Sequence, residues 1–237
     1  TVVEFQPDPD QGGPSSGFRI EAGRSLVAPP TRGVRCRFRT CYDTMLWPLE
    51  VAEAGWHAPH ELNLGSHTRD ITAGLRVRLK CQGDVTFREL DGLDRLRFFL
   101  NGDLHLVSTL YEFLDNNCVG VLLRGGDGSA EGPTVKLPRG SVKPVGFQED
   151  EGMLPYPKRS FLGYRLLQEY FTFPYKFLFM DVTGLERLGG TVDGGTAELI
   201  FLIGPAEGSE RDQALDRFVD RNTLKLGCTP VVNLFEG

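Results

Sequence analysis

The segment from Leu154 to Leu188 leaves this chain fewer folding options than any other. Pro155 and Pro157 bar a helix upstream, and Ser160 stands where an N-cap would offer an oxygen to the first free amide donors. A helix is therefore predicted over 161–172. Within it Arg165, Gln168, Glu169 and Thr172 recur at spacings of three and four, one narrow polar stripe with Arg165 and Glu169 as an i,i+4 pair. Phe161, Leu162, Tyr164, Leu166, Leu167, Tyr170 and Phe171 cover more than the single face a surface helix needs, so burial against two neighbours is expected. Pro174 ends the helix, and the run 177–180 reads as a buried strand closed by a turn at Thr183-Gly184.

Alternation with period two dominates the first half. The opening Val2-Val3-Glu4-Phe5 reads as a strand leading into a loop rich in Pro, Gly and Ser, and a hairpin is predicted from Phe18 to Ala28 around Ala22-Gly23. Over 34–40, Arg35, Arg37 and Arg39 share one face of a strand and the apolar residues share the other. Residues 45–51 form a further strand, with Pro48 marking an edge or bulge, and the next twenty residues read as a long loop. Arg76 and Arg78 repeat the basic row over 75–81, as do Arg95 and Arg97 further on. In one antiparallel sheet these rows would add up to a positive face, which is either a solvated or charge-protected surface or a docking surface for an acidic partner.

Asn101-Gly102-Asp103 caps a second predicted helix over 104–116, with His105 on its wet side. A strand over 118–123 then enters RGGDGSAEGP, residues 124–133, the clearest linker-like stretch. Residues 134–147 are extended, and Glu149-Asp150-Glu151 is a short acidic run. A third helix surrounds Leu215 and Phe218, with Ser209 and Asp212 at capping-box spacing. Phe98-Phe99-Leu100 and the helix after it have a counterpart in Phe201-Leu202-Ile203 and the helix after that, which admits an internal duplication. The reading is an α+β fold, mainly antiparallel sheets or a sandwich with about three amphipathic helices. Its expected division is a β-rich lobe with one helix at 1–126 and a second, related α+β lobe at 133–237.

Composition narrows the class. The chain has 237 residues, 40% hydrophobic and 24% charged, enough for one large core or two modest ones, and its 29 glycines and 15 prolines suit a turn-rich β architecture. No apolar run approaches the roughly 20 residues of a membrane span, so no direct membrane insertion is expected. The net charge of −6, with no aromatics interleaved in the basic rows, argues against nucleic acid. The five cysteines, Cys36, Cys41, Cys81, Cys118 and Cys228, lie mostly in apolar or alternating segments, as reduced thiols of a cytoplasmic protein do.

No catalytic, cofactor or metal set emerges. His57, His60 and Glu61 lack a helical period that would align them, and Ser66, His67 and Asp70 lack a strand-to-helix elbow. Cys36 and Cys41 have no second ligand pair at zinc spacing. The glycine clusters lack the lysine and helix start of a phosphate cradle. On strand pattern alone the alternative is a β-sandwich carbohydrate- or ligand-binding module, for which Trp47 and Trp56 are the tryptophans available as a platform.

The strings PYPKRSFLGYRLLQEYFTFPYKFLFMDVTGL, LWPLEV at 46–51 and LGCTPVVNLF at 226–235 resemble the TssF family (also VasA or ImpG) of the bacterial type VI secretion system. The resemblance implies a non-catalytic structural subunit of the cytoplasmic baseplate wedge in a Gram-negative bacterium. It implies partners too: two TssF copies with one TssG, then TssK and TssE, supporting the contractile sheath at the inner-membrane complex, with kinship to the wedge proteins of contractile phage tails. Family members are considerably longer and begin with a helical segment not seen here, so the chain reads as an excised piece, in keeping with a first residue other than Met. Candidate contacts are Phe161, Tyr164, Tyr170 and Phe171 on the wide apolar helix and Arg35, Arg37, Arg39, Arg76 and Arg78 on the basic rows.

Overall fold

The computed structural model describes the chain except residues 8–14, 31, 32, 34, 66–69, 127–132, 156–158, 160, 207–209 and 235–237, with the backbone alone at 210–213. Every strand pair in it is antiparallel. The largest sheet has the order β10-β9-β13-β7-β6, made of β6 (Leu49–His57), β7 (Ala73–Cys81), β9 (Cys118–Gly125), β10 (Val135–Pro138) and β13 (Thr196–Ile203). A second sheet runs β11-β12-β8-β14, from β8 (Arg95–Leu100), β11 (Val142–Val145), β12 (Phe179–Thr183) and β14 (Leu224–Lys225). A third runs β1-β15-β4-β3, from β1 (Val2–Glu4), β3 (Ser25–Val27), β4 (Arg37–Thr40) and β15 (Cys228–Val232). A two-stranded sheet joins β2 (Phe18–Ile20) to β5 (Thr44–Leu46). The helices are α1 (Leu104–Glu112), α2 (Leu162–Thr172), the single turn α3 (Leu188–Thr191) and α4 (Glu210–Phe218). The α+β class expected from the sequence is therefore the one observed.

Sheet membership follows distance in space rather than position in the chain. β9 pairs with β10 across residues 126–134 and with β13 from much later, while β8 is held between β12 and β14. The expected division at 124–133 is thus not reflected in the strand pairing, and Arg124 and Gly125, read as linker, close β9. One apolar core carries residues from both sides of that stretch, among them Trp56, Leu75, Phe98, Leu110, Phe179, Phe201 and Leu215. The predicted 18–28 hairpin is also absent, because β2 pairs with β5 and β3 with β4. The strand expected over 45–51 is broken at Trp47-Pro48 into β5 and β6, since a proline nitrogen cannot donate to the ladder. Ser209, half of the expected capping box, lies outside the described residues.

The long loop predicted after Val51 is mostly structured. β6 continues to His57, a 3-10 turn spans Pro59–Glu61, and Leu62 and Leu64 cover the second face of the central sheet against Leu122, Ile200 and Leu202. On that face a row of charges crosses four strands. Glu198, wholly buried on β13, accepts from Arg124 Nε at 2.8 Å and Arg78 Nη2 at 2.9 Å, and Arg78 reaches Glu53 at 3.0 Å. The register sets Glu198 directly opposite both arginines, so each buried charge meets its counterion across the ladder.

The predicted second helix is α1, capped by Asp103, whose carboxylate accepts from the amides of His105 and Leu106, and prolonged by a π-turn over Phe113–Asn117. His105 is exposed as expected. The turn after β12 is also as expected, with Gly184 at φ +89°, a conformation that a side chain resists.

Four of the five thiols are buried and Cys36 is half-buried. Burial pushes Cys41, Cys81 and Cys118 up to about 11 and Cys228 up to about 12. A thiol-reactive dye should therefore label Cys36 first under native conditions and the others only on denaturation; fast native labelling of Cys41 would contradict this burial. Glu198→Ala, which strands the buried Arg124 guanidinium, should destabilise by about 3–5 kcal/mol. Chemical denaturation reads that loss directly, and an unchanged midpoint would refute the pairing.

Candidate interaction surface

Helix α2 stops where Phe173 turns extended (φ −152°, ψ 78°) ahead of Pro174. Its N-cap position is held by Phe161, with no side-chain cap; Ser160, the cap expected from the sequence, lies outside the described residues. The helix faces the opposite way from its periodicity. Its buried residues are Arg165 and Glu169, whereas Phe161 is 72% exposed, Tyr164 65%, Leu167 58%, Tyr170 55% and Phe171 81%. The expectation that the apolar residues would be buried against two neighbours is corrected: of the polar stripe Arg165 and Glu169 face the protein, Leu162 and Leu166 are half-buried, and the rings face out together with Gln168 and Thr172.

The cause lies in the backbone beneath. Residues 146–154 cross under α2 as a 3-10 turn (Glu149–Glu151) and coil, and their peptide groups lack a sheet partner there. Side chains supply the missing bonds. Arg165 donates to the carbonyls of Glu149 and Gln148, both at 2.6 Å. Glu169 Oε1 accepts from the amides of Met153 at 2.7 Å and Leu154 at 3.1 Å. Lys176, fully buried on the turn after α2, contacts the Glu169 carboxylate and donates to the Glu151 carbonyl at 2.9 Å. Burial pushes the Lys176 ammonium below its usual pKa, with Glu169 opposing that shift.

The network then runs into the second sheet. Glu151 Oε2 accepts from the amides of Gly146 and Gln148, and its Oε1 lies 3.7 Å from Arg97. Arg97 grips Asp181 through two bonds of 2.7 and 2.8 Å and lies over the Tyr42 ring, 5.5 Å from its centroid. Burial works against the Arg97 charge, but the hydrogen bonds and charge of Asp181 prevail and raise its pKa. Tyr42 in turn donates to the Lys176 carbonyl at 3.0 Å. With 100° between successive residues, turning Arg165 and Glu169 toward this network forces Tyr164, Leu167 and Phe171 to point away from it.

The outward rings form two groups. Phe161 and Tyr164 meet edge to face with centroids 5.8 Å apart, as do Tyr170 and Phe171 at 5.6 Å. Tyr170 also meets buried Phe177 at 6.1 Å, and Phe177 meets the exposed Phe147 at 5.0 Å. Four of the contact residues picked from the sequence, Phe161, Tyr164, Tyr170 and Phe171, are thus brought together. Leu167 and Phe147 belong with them and were missed; helical spacing from Tyr164 would have found Leu167, but nothing local marks Phe147.

The arginine candidates are scattered. β4, β7 and β8 lie in three different sheets, so the single positive face expected from them does not form. Arg35 and Arg37 are exposed and Arg39 half-buried, whereas half-buried Arg78 is engaged by Glu198 and Glu53, and Arg76 is half-buried beside it on β7. Trp47 and Trp56 are buried, which removes the platform of the sandwich-binding alternative. His57 lies on β6 with Nδ1 3.7 Å from Glu61, and burial lowers its pKa. Ser66 and His67 lie outside the described residues.

All 237 residues match the profile of the type VI secretion system TssF family. The chain belongs to that family. The type VI secretion system component TssF1 of Pseudomonas aeruginosa is 39% identical over 241 residues, covering 99% of this chain and 37% of the relative. The fold also matches a chain in the electron cryomicroscopy structure of the TssK-TssF-TssG baseplate subcomplex, with a TM-score of 0.76 at 24% identity over 99% of this chain and 40% of that one. This TssF-family chain therefore spans well under half the length of the relatives it matches.

Two variants separate the faces of α2. Tyr164→Ser with Phe171→Ser should leave the unfolding midpoint within about 2 °C of the parent, because both rings are solvated. Glu169→Ala should destabilise by about 3–5 kcal/mol, because two buried cations lose their counterion. Scanning calorimetry of both variants checks the pair, and a large loss in the first would mean that the rings are core.

Proposed function

We propose that this chain is part of a structural subunit of the type VI secretion baseplate wedge, one that binds neighbours and carries out no reaction. Its partners on this reading are TssG, TssK, TssE and a second TssF copy, in a cytoplasmic complex that supports sheath assembly and docks at the inner-membrane complex. The observation that carries it is the outward aromatic face of α2. Five large apolar side chains more than half exposed on one three-turn helix form a surface that water solvates poorly and that interfaces favour, since Tyr and Phe anchor binding with little rotamer entropy to lose. Phe161, Tyr164, Tyr170 and Phe171 are the contact residues on this reading, joined by Leu167.

The basic candidates take a lesser part. Exposed Arg35 and Arg37, with Arg39, remain available for an acidic partner, where they would govern association rate and salt dependence more than residence time. Arg78 holds the central sheet together, and Arg76 sits beside it. Among the described residues no group of three or more His, Cys, Asp or Glu is placed to hold a metal.

The test is co-expression of the full-length protein with its TssG- and TssK-family neighbours, with size-exclusion chromatography and light scattering of each peak. A stable mixed complex is expected. Tyr164→Ser with Phe171→Ser should weaken it at least tenfold, and Arg35→Glu with Arg37→Glu should make it more sensitive to salt. A protein that stays apart from both neighbours would sink the wedge reading.

A further inference from the structure

We propose that the cleft beside β8 takes an extended segment of a partner protein, paired to β8 through its main chain as an added strand. The proposal rests on the wedge reading for the existence of a partner and names a contact apart from α2. The cleft encloses about 630 Å³, within the range of roughly 300–1,000 Å³ found for binding sites. Its walls include β8, the start of β6 and residues 224–228. It exists because the chain changes sheets there. β14 pairs with β8 only at Phe99 and Leu100, and Gly227, at φ +66°, then turns the chain away to β15, with the Phe5 carbonyl lying where a Cβ on Gly227 would stand.

The first ground is an open ladder. The Leu100 amide donates to the Leu178 carbonyl on the β12 side and the Asn101 amide to the Thr223 carbonyl on the β14 side, both at 2.8 Å. Main-chain groups alternate along a strand, so those of Leu96 and Phe98 face β12, and those of Arg95 and Arg97 face the cleft. The N–H and C=O of Arg95 and Arg97 therefore have no strand partner on that side among the described residues. An unpaired edge of this kind is a template for another strand. A helix would leave it unmet, because its peptide groups bond among themselves.

The second ground lies elsewhere on the same lining. Trp47, 7% exposed, and half-buried Gln82 both line the cleft, and Trp47 Nε1 and Gln82 Oε1 are buried without a hydrogen-bond partner. One is a donor and the other an acceptor, and a peptide unit offers the matching carbonyl and N–H. The charged side chains of the lining carry both signs, with Arg97 held by Asp181 and Lys225 by Glu4, so no field of one sign selects a small ion. Recognition thus runs through the main chain.

The third ground is the state of the core, and it decides where the segment comes from. Leu96, Phe98, Leu224 and Cys228, on the strands that bound the cleft, are already buried, so no apolar wall is left wanting a cover. A strand that folded with this chain would carry side chains that the core lacks without it. The segment is therefore added to a finished fold, as a partner's is.

Hydrogen exchange at single-amide resolution tests this in the full-length protein, alone and in the complex purified after co-expression with its TssG- and TssK-family neighbours. Alone, the Arg97 amide should exchange about tenfold or more faster than those of Leu96 and Phe98, and in the complex it should slow about tenfold or more while they stay as they were. Arg95→Pro removes an amide that faces the cleft and leaves the β12 ladder whole. It should weaken the complex about tenfold or more, because it strands a carbonyl of the partner. Arg95→Ala, which keeps the amide, should bind as the parent does and unfold at the same midpoint as Arg95→Pro. An Arg97 amide already slow in the protein alone would overturn the proposal by showing the slot filled from the same chain. A complex that forms and leaves Arg97 fast, or one that Arg95→Pro leaves as tight as before, would overturn it with the wedge reading intact, whereas no complex at all would remove both.

Discussion

The carboxylate of Glu169, held between Lys176 and Arg165 beneath α2, decides how the second half of this chain presents itself. An isolated charge at that depth would be intolerable, and here each one has more than one partner: Glu169 two amides and the Lys176 ammonium, Lys176 a carboxylate and a carbonyl, and Arg165 two carbonyls, its Nε lying 3.9 Å from Glu169 without a hydrogen bond. The hydrophobic effect alone would turn the helix over and bury its rings. It does not prevail, because burying the rings would leave the carbonyls and amides of 148–154 without partners, and a lost bond at a buried polar group outweighs much of what a half-solvated ring gains. The exposed aromatic face is thus a consequence of how the loop beneath it is satisfied.

The central sheet follows the same rule on a different element. Glu198 occupies a position of β13 that Arg78 and Arg124 face from both neighbouring strands, and the row continues to Glu53. Both places use paired charge where a β-rich protein would ordinarily place apolar side chains. Such pairs add little net stability over a well-packed apolar core, but they penalise any slip of register or rotation that separates them. That penalty keeps the helix and the sheets in a single relative arrangement.

Much of this was legible beforehand in particular residues. Alternation marked β4 and β7, Asp103 marked the start of α1, Pro174 the end of α2 and Gly184 the turn after β12, because each is a local rule written in the chain itself. What misled was equally specific. The rings around the stripe of Arg165 and Glu169 were read as buried because apolar residues on a helix usually are, and nothing nearby in sequence announces that residues 148–154 would need donors and acceptors from above. The arginine rows were summed into one face because alternation reports which side of a strand a residue takes, never which sheet the strand joins. Pairing partners lie up to about 230 positions apart, as Val2 and Pro230 do, and carry no short-range mark.

By itself, then, the sequence determined some of the elements and a few of their ends, the α+β class and, through three specific strings, the TssF family to which the chain belongs. It also determined that α2 would have one polar and one aromatic side, since 3.6 residues per turn allow no other arrangement of those letters. Only the tertiary structure decided which side faces out. That choice depends on unsatisfied backbone groups contributed by a separate loop and on counterions contributed by a turn and a strand, and burial energies of that kind exist only once those distant segments are in contact.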